Sequence, residues 1–233
     1  YLLGAGSILV LGYLAWVMAT KCTKAERERM MLALVLIAAS VVFWTLFEQA
    51  GSSLNQFAER NTDLGIGMGQ SITAAQTQSF NAGFILLGAP LFSAIWAYLG
   101  RRGRDPNPAV KFGLALVQVG AGFFVLVWGA QFADASFRVP LMFLVLAYLL
   151  HTTGELCISP VGLSQMTKLA LPAVVATIMA TWFLASSWAQ WLGALVAQLT
   201  ASETVAGQVL DPGKALATYV EVFKMIGLWG VGA

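Results

Sequence analysis

The sequence predicts an all-α membrane protein, a bundle of about seven transmembrane helices. Of its 233 residues, 58% are hydrophobic and only 10% are charged, whereas soluble domains carry about 25% charged residues. Apolar segments of about 20 residues, the length that crosses the hydrocarbon layer, recur along the whole chain. Water is therefore excluded as the solvent for most of this surface, and a single secretory signal peptide does not account for the pattern.

Seven segments have the length and composition of membrane spans, and helix breakers such as Asp105-Pro106 lie in the short loops between them. The predicted spans are 1–20, 30–54, 78–100, 109–132, 139–166, 172–200 and 214–233. The first residue is Tyr1, and the last apolar run has no polar tail. We therefore expect the sequence to be part of a longer protein.

Lysine and arginine are distributed unequally between alternate loops. Nine of them lie in one set of loops and three in the other. The rich loops are 21–29, 101–111 and 167–171, and the poor loops are 55–77, 133–138 and 201–214. Because positive charge is retained in the cytoplasm, the rich loops are predicted to be cytoplasmic and the first span to run inwards.

Composition also argues against several classes of protein. The net charge of +2 is too small to predict a nucleic-acid partner. Cys22 and Cys157 lack the spacing of a disulfide framework or a metal site. No catalytic triad, histidine pair or phosphate-binding glycine loop is present in the sequence. We therefore expect no enzymatic activity, no metal and no cofactor.

Glu48 and Glu155 are the two acids that qualify most clearly as lying inside predicted spans, where an ionisable group costs about 2.5–3.5 kcal/mol on insertion scales. Glu48 lies in the outer half of the second span, and its alternative is an interfacial acid that extends towards water. Glu155 lies near the middle of the fifth span. Its alternative is a protonated carboxyl that is hydrogen-bonded to a neighbouring helix. Both acids are candidates for a solute or proton pathway.

The region around Glu155 is polar as well. Ser159 lies one turn further along the same face, and Pro160 is expected to open the helix and free backbone carbonyls. His151 lies one turn earlier, and it is either a proton relay or a packed, hydrogen-bonded residue.

Three further polar or aromatic residues are candidates for ligand contact. Asn81 lies at the start of the third span, where it could also be a helix cap. Trp182 and Ser186 lie near the middle of the sixth span. A tryptophan at that depth lies away from the interfacial belt, although packing towards lipid is the alternative.

Three separated motifs resemble the proton-dependent oligopeptide transporters (POT family) of the major facilitator superfamily. They are Phe43-Trp44 with Glu48-Gln49 and Gly51-Ser52-Ser53, then Gln78-Ser79-Phe80-Asn81-Ala82-Gly83-Phe84-Ile85, and finally Gly154-Glu155-Leu156 with Ser159-Pro160-Val161-Gly162-Leu163-Ser164 and Thr167-Lys168-Leu169. The sequence departs from the family at Leu171 and at Ala189-Gln190.

The resemblance implies a twelve-helix transporter with two six-helix bundles around a central site. It implies that residues 1–20 are an extra helix between the halves, that 21–29 are a cytoplasmic loop and that 30–233 are the C-terminal six-helix bundle. The N-terminal six-helix half would then be an essential partner in the same protein.

The implied activity is proton-coupled symport of di- and tripeptides across the bacterial inner membrane by alternating access. The candidate proton carriers are Glu48 and Glu155, and the implied coupling ion is the proton, with no cofactor. The implied substrate-binding residues are Trp44, Glu48, Asn81, Glu155, Ser159, Trp182 and Ser186. The alternatives are a family member for another solute, such as nitrate or a larger metabolite, a non-transporting membrane scaffold or receptor, and a channel. A channel requires a ring of equivalent groups or a continuous polar stripe, and no span has one.

Overall fold

A computed structural model describes residues 2–202, 204–205 and 208–233 of the chain, so Tyr1 of the first predicted span lies outside the described residues. Nine α-helices lie in this part of the chain: α1 Leu2–Thr20, α2 Lys24–Phe47, α3 Ser53–Asn61, α4 Ala74–Thr77, α5 Ser79–Arg101, α6 Pro108–Gly129, α7 Leu141–Leu169, α8 Val175–Leu199 and α9 Pro212–Gly232. Short strands lie between them: β1 Thr62–Asp63, β2 Gly65–Gly67, β3 Gln70–Ser71, β4 Val139–Pro140, β5 Thr204–Val205 and β6 Gln208–Val209.

Six helical segments of the described residues are long and apolar enough to cross a membrane. They are Leu2–Thr20, Lys24–Asn61, Ala74–Arg101, Pro108–Phe132, Leu141–Leu169 and Pro172–Leu199. The seventh predicted span corresponds to α9, a helix of 21 residues that contains Lys214, Glu221 and Lys224 and is outside this set. The prediction of an all-α, multi-pass membrane protein is confirmed.

Helix α2 ends earlier than predicted. The second span was expected to reach residue 54, but α2 ends at Phe47 and a 3₁₀ turn follows over Glu48–Gly51. Ser52 then leaves the helical region at φ −130° and ψ −97°. Serine side chains, which compete for backbone hydrogen bonds, and glycine, which weakens a helix, favour a break here, and the Gln49 side-chain oxygen accepts from the Ser53 hydroxyl across it at 2.7 Å. Glu48 therefore lies at a 3₁₀ break between α2 and α3, inside the membrane-crossing segment Lys24–Asn61.

Helix α2 ends earlier than predicted, whereas α7 continues through a residue where a break was expected. Pro160 was expected to open the helix, but α7 is one continuous α-helix with Pro160 inside it. That expectation is wrong. A proline lacks one backbone donor, and in membrane helices neighbouring groups and small local adjustments compensate for this loss.

Helix starts follow local sequence signals. Thr23 caps α2 in a capping box with Glu26, and the Asn107 side chain caps α6, which opens with Pro108. Lys111 follows in the first turns of α6. Its ammonium lies 2.8 Å from the Asp105 carboxylate and 4.4 Å from the centre of the Trp96 ring.

Helix α6 packs against α2, α7 and α9. Small residues permit the closest approaches: a Cβ on Gly120 would lie 2.7 Å from the Gly227 carbonyl, and a Cβ on Gly154 would lie 3.0 Å from the Ala115 carbonyl. Close backbone contact of this kind is a usual basis of helix association in membranes.

The two peripheral helices pack differently. Helix α5 packs on α7 and has no buried residue of its own. Helix α1 packs on α8 and α2 through the buried Leu14 and Val17. The indole nitrogen of Trp188 donates to the Ser7 hydroxyl at 2.8 Å, so α1 is also attached to α8 by a polar contact.

The end of the bundle that is predicted to face outwards, here the outer end, is joined by backbone pairing and by one amide. Strands β1 and β4 pair in parallel. The Asn61 amide nitrogen, just before β1, donates to the carbonyls of Phe137 at 3.0 Å and Pro212 at 3.1 Å. Three segments that are distant in sequence therefore meet at this side chain.

Candidate functional site

A cavity of about 220 Å³ lies where the end of α2, the start of α5 and the middle of α7 meet. It is lined by Phe47, Glu48, Ala50, Gly51, Gln78, Asn81, Tyr148 and His151. Two of the predicted site residues, Glu48 and Asn81, therefore face one space. This cavity combines aromatic walls with a few polar groups, which is typical of a small-molecule site.

Glu155 is held at the edge of this site by Asn81. The Asn81 amide nitrogen donates to Glu155 Oε2 at 3.0 Å and approaches the Thr152 hydroxyl oxygen at 3.1 Å. The Thr152 hydroxyl in turn donates to the Tyr148 carbonyl at 2.7 Å. Hydrogen bonds to an ionised carboxylate are among the stronger ones in proteins. The arrangement gives Glu155 a fixed position while it remains half-buried.

Glu48 reaches the cavity because α2 ends just before it. The side chain is half-buried in the first position of the 3₁₀ turn. Trp44, one turn earlier, packs edge-on against Phe43 and Phe47, with ring centres 5.3 Å apart in each case. Trp44 does not itself line the cavity, although Phe47 does. Trp44 therefore supports an aromatic wall of the site.

The other three predicted residues lie elsewhere in this conformation. Ser159 is half-buried on α7, one turn beyond Glu155, and the Ser186 hydroxyl lies 3.5 Å from the Trp182 carbonyl. Trp182 is only 6% exposed. It packs edge-on against Phe112 at 6.4 Å between ring centres. The structure brings none of these three residues to the cavity.

Trp182 fills a notch in the bundle. A Cβ on Gly162 would overlap the indole ring, so the absence of a side chain at this position of α7 makes room for it. The alternative of a lipid-facing Trp182 does not hold, because the ring is inside the bundle. Its role as a substrate contact remains a prediction.

His151 is packed and also lines the cavity. The residue is 1% exposed, and its ring centre lies 4.8 Å from that of Phe123. A Cβ on Gly122 of α6 would overlap the imidazole. The ring is therefore packed, but neither of its nitrogens has a hydrogen-bond partner among the described residues, so the expected hydrogen bond is not seen. The role of His151 as a proton relay stays a prediction.

Sequence reasoning missed Tyr148, Thr152 and Gln49. Tyr148 and Thr152 precede Glu155 at helical spacing on α7, so the spacing could have identified them. Gln49 is buried beside Glu48, and only the fold shows what it contacts. Among residues 2–202, 204–205 and 208–233, no group of three or more His, Cys, Asp or Glu side chains could hold a metal ion.

The sequence matches the POT family over residues 3–215. It is 37% identical over 202 residues to dipeptide and tripeptide permease A of Edwardsiella piscicida. This alignment covers 87% of the present chain and 40% of the permease. The chain thus spans less than half the length of this relative.

Solved structures resemble the chain over 99% of its length. A crystal structure of the peptide transporter POT in complex with sulfate has a TM-score of 0.78 and 32% identity, with 45% of that protein covered. A POT family transporter in complex with 5-aminolevulinic acid has a TM-score of 0.82 and 26% identity, also with 45% covered. The family match and these likenesses agree with the three motifs, and the chain belongs to the POT family.

Proposed function

We propose that the full-length protein is a proton-coupled symporter of di- and tripeptides in the bacterial inner membrane, and that this chain forms the C-terminal half of its central site. The observation that carries the proposal is the cavity that Glu48 and Asn81 line, with Glu155 hydrogen-bonded to Asn81 at 3.0 Å. An N-terminal six-helix half would complete the site and move against this bundle in alternating access.

Glu155 suits the recognition of a peptide ammonium. A carboxylate at membrane depth is costly without a partner, and the Asn81 amide satisfies it only in part. An incoming ammonium would supply the opposite charge and a charge-assisted hydrogen bond. The cationic groups that bind the peptide carboxylate would come from the N-terminal half.

Glu48 and Glu155 are the proposed proton carriers, with protons as the only coupling ion. The remaining predicted residues, Trp44, Ser159, Trp182 and Ser186, would contact the peptide in conformations in which the helices of this half are arranged differently. No nucleic-acid partner, cofactor or enzymatic step is part of this proposal.

A second candidate substrate class is supported by one comparison. A relative in the family was solved with 5-aminolevulinic acid, a small molecule that carries an amino and a carboxyl group. Such a solute would use Glu155 in the same way as a peptide ammonium. Nitrate is disfavoured as a substrate of this site, because an anion would be repelled by the carboxylate.

The test is uptake by full-length protein in liposomes with an imposed inward proton gradient. We expect uptake of labelled di- and tripeptides that collapses when an ionophore dissipates the gradient. Competition by 5-aminolevulinic acid and by nitrate separates the solute classes. Peptide uptake that is equal in empty liposomes, or that is unaffected by the ionophore, would contradict the proposal.

A further inference from the structure

The side chain of Gln49 uses its full hydrogen-bonding capacity at the turn that holds Glu48. A side-chain amide offers two donors and an oxygen with two acceptor positions. The Gln49 nitrogen donates to the carbonyls of Thr45 at 3.0 Å and Gly193 at 3.1 Å. Its oxygen accepts from the hydroxyls of Ser53 at 2.7 Å and Ser52 at 3.4 Å. The residue is 0% exposed.

These four bonds connect three elements. Thr45 belongs to the last turn of α2, Ser52 and Ser53 are the cap and the first residue of α3, and Gly193 belongs to α8. The bond to Gly193 joins residues that are 144 positions apart. The Gln49 amide is thus a joint between the helix break after α2 and the distant helix α8.

Helix α8 also approaches Glu48 directly at this joint. A Cβ on Gly193 would lie 3.4 Å from the Gln49 amide nitrogen and 3.8 Å from the Glu48 Cβ atom. Glu48 is the neighbour of Gln49 in the same 3₁₀ turn. A displacement of α8 at Gly193 would therefore move the amide and, through the turn, the carboxylate at the cavity.

We propose that Gln49 is a positioning residue: it sets the place of the Glu48 carboxylate in the cavity and transmits movements of α8 to it. This inference rests on the proposed proton-coupled transport. Breaking the joint would remove the bonds from Gln49 to the Gly193 carbonyl and to the Ser52 and Ser53 hydroxyls, and with them the side-chain attachment of the turn to α8. The turn would then take other positions, and Glu48 with it.

The test uses full-length protein with Gln49→Met, which keeps the length of the side chain and removes all four hydrogen bonds. The matched control is Gln118→Met. The Gln118 amide bonds to the Leu114 carbonyl within α6 at 2.9 Å and to the Cys157 sulfur of α7 at 3.6 Å, and neither bond involves the turn that holds Glu48. Two readouts are compared: dipeptide uptake driven by a proton gradient, and counterflow exchange, which requires no net proton movement.

We expect Gln49→Met to lower gradient-driven uptake about tenfold or more, the size of one lost hydrogen bond of about 1.4 kcal/mol. Counterflow should change far less, and Gln118→Met should leave both readouts near wild type. Since Gln49 acts through Glu48, adding Gln49→Met to a Glu48→Gln protein should cause no further loss of gradient-driven uptake.

Gly193→Val is the second variant, in case Gln49→Met does not fold. It retains Gln49 and pushes its amide away from α8, so it should reduce gradient-driven uptake in the same direction. The inference is overturned if Gln49→Met or Gly193→Val behaves like Gln118→Met. It is also overturned if the Gln49→Met loss simply adds to that of Glu48→Gln. Wild-type protein that shows no gradient-driven peptide uptake overturns the proposed function and this inference with it.

Discussion

The Asn81 amide nitrogen lies 3.0 Å from Glu155 Oε2 and so joins α5 to α7 through a carboxylate. Helix α5 has no buried residue of its own, and this polar contact lies where its first turn meets the cavity. Asn81 therefore has two roles: it holds α5 against α7, and it occupies one oxygen of the acid that is proposed to receive the peptide ammonium.

Asn81→Ala should lower the thermal stability of the full-length protein, because a hydrogen bond to a charged group contributes about 1.5–3 kcal/mol. The measurement is the melting temperature of purified protein. Asn55→Ala is the control, since the side-chain bond that Asn55 accepts from Gln78 is exposed and long, at 3.4 Å. Equal melting temperatures for the two variants would show that the Asn81 bond contributes nothing to the packing of α5.

Glu155→Gln should weaken the binding of peptides with a free amino terminus more than the binding of peptides whose amino terminus is blocked. The substitution keeps the shape of the side chain and removes its charge, so an ammonium loses its partner whereas an acetylated terminus does not. The measurement is the dissociation constant of a dipeptide and of its N-acetylated counterpart with full-length wild type and variant. Equal losses for both ligands would assign Glu155 to structure or proton transfer instead.

Gly122→Ala should destabilise the protein, because the new Cβ would overlap the His151 ring and overpacking costs about 1–3 kcal/mol. Gly113→Ala on the same helix has no atom within 4 Å of the new Cβ. This control should be neutral or slightly stabilising, since alanine is the better helix former. The measurement is the melting temperature of each purified variant. Equal melting temperatures for Gly122→Ala and Gly113→Ala would mean that the imidazole moves away from the new Cβ at no cost in stability.

Trp182→Ala should reduce stability by about 3–5 kcal/mol, because it leaves an empty notch inside the bundle. Trp191→Ala is the matched control: the same residue type on the same helix is 50% exposed and should tolerate the change. The milder Trp182→Phe separates packing from recognition. If Trp182 also contacts the peptide, folded Trp182→Phe protein should bind a dipeptide more weakly than wild type does. A dissociation constant equal to that of wild type would restrict Trp182 to a structural role.

The positions of the spans could be predicted from the sequence, since length and apolar composition set them almost alone. The third span was expected from residue 78, and α5 begins at Ser79. Two local details were not predictable in this way. The early end of α2 depends on side-chain hydrogen bonds of Gln49, and the continuity of α7 through Pro160 depends on its surroundings.

The site was predictable in part, because the rarity of acids in membrane spans singles out Glu48 and Glu155. The bond from Asn81 to Glu155 joins residues that are 74 positions apart, and the contact from Gln49 to Gly193 spans 144 positions. Such pairs follow from helix packing, which no local pattern encodes. Trp182 shows the same limit, as its depth was predicted while its burial against Gly162 was not.

The amide of Asn61 restricts how the outer end of this bundle can move. It donates to the Phe137 and Pro212 carbonyls at 3.0 and 3.1 Å, so it fastens together the chain before α7, the start of α9 and the end of α3. Loops fastened in this way do not open separately. Under the proposed alternating access, a passage that opens at the outer end would therefore carry these three segments together.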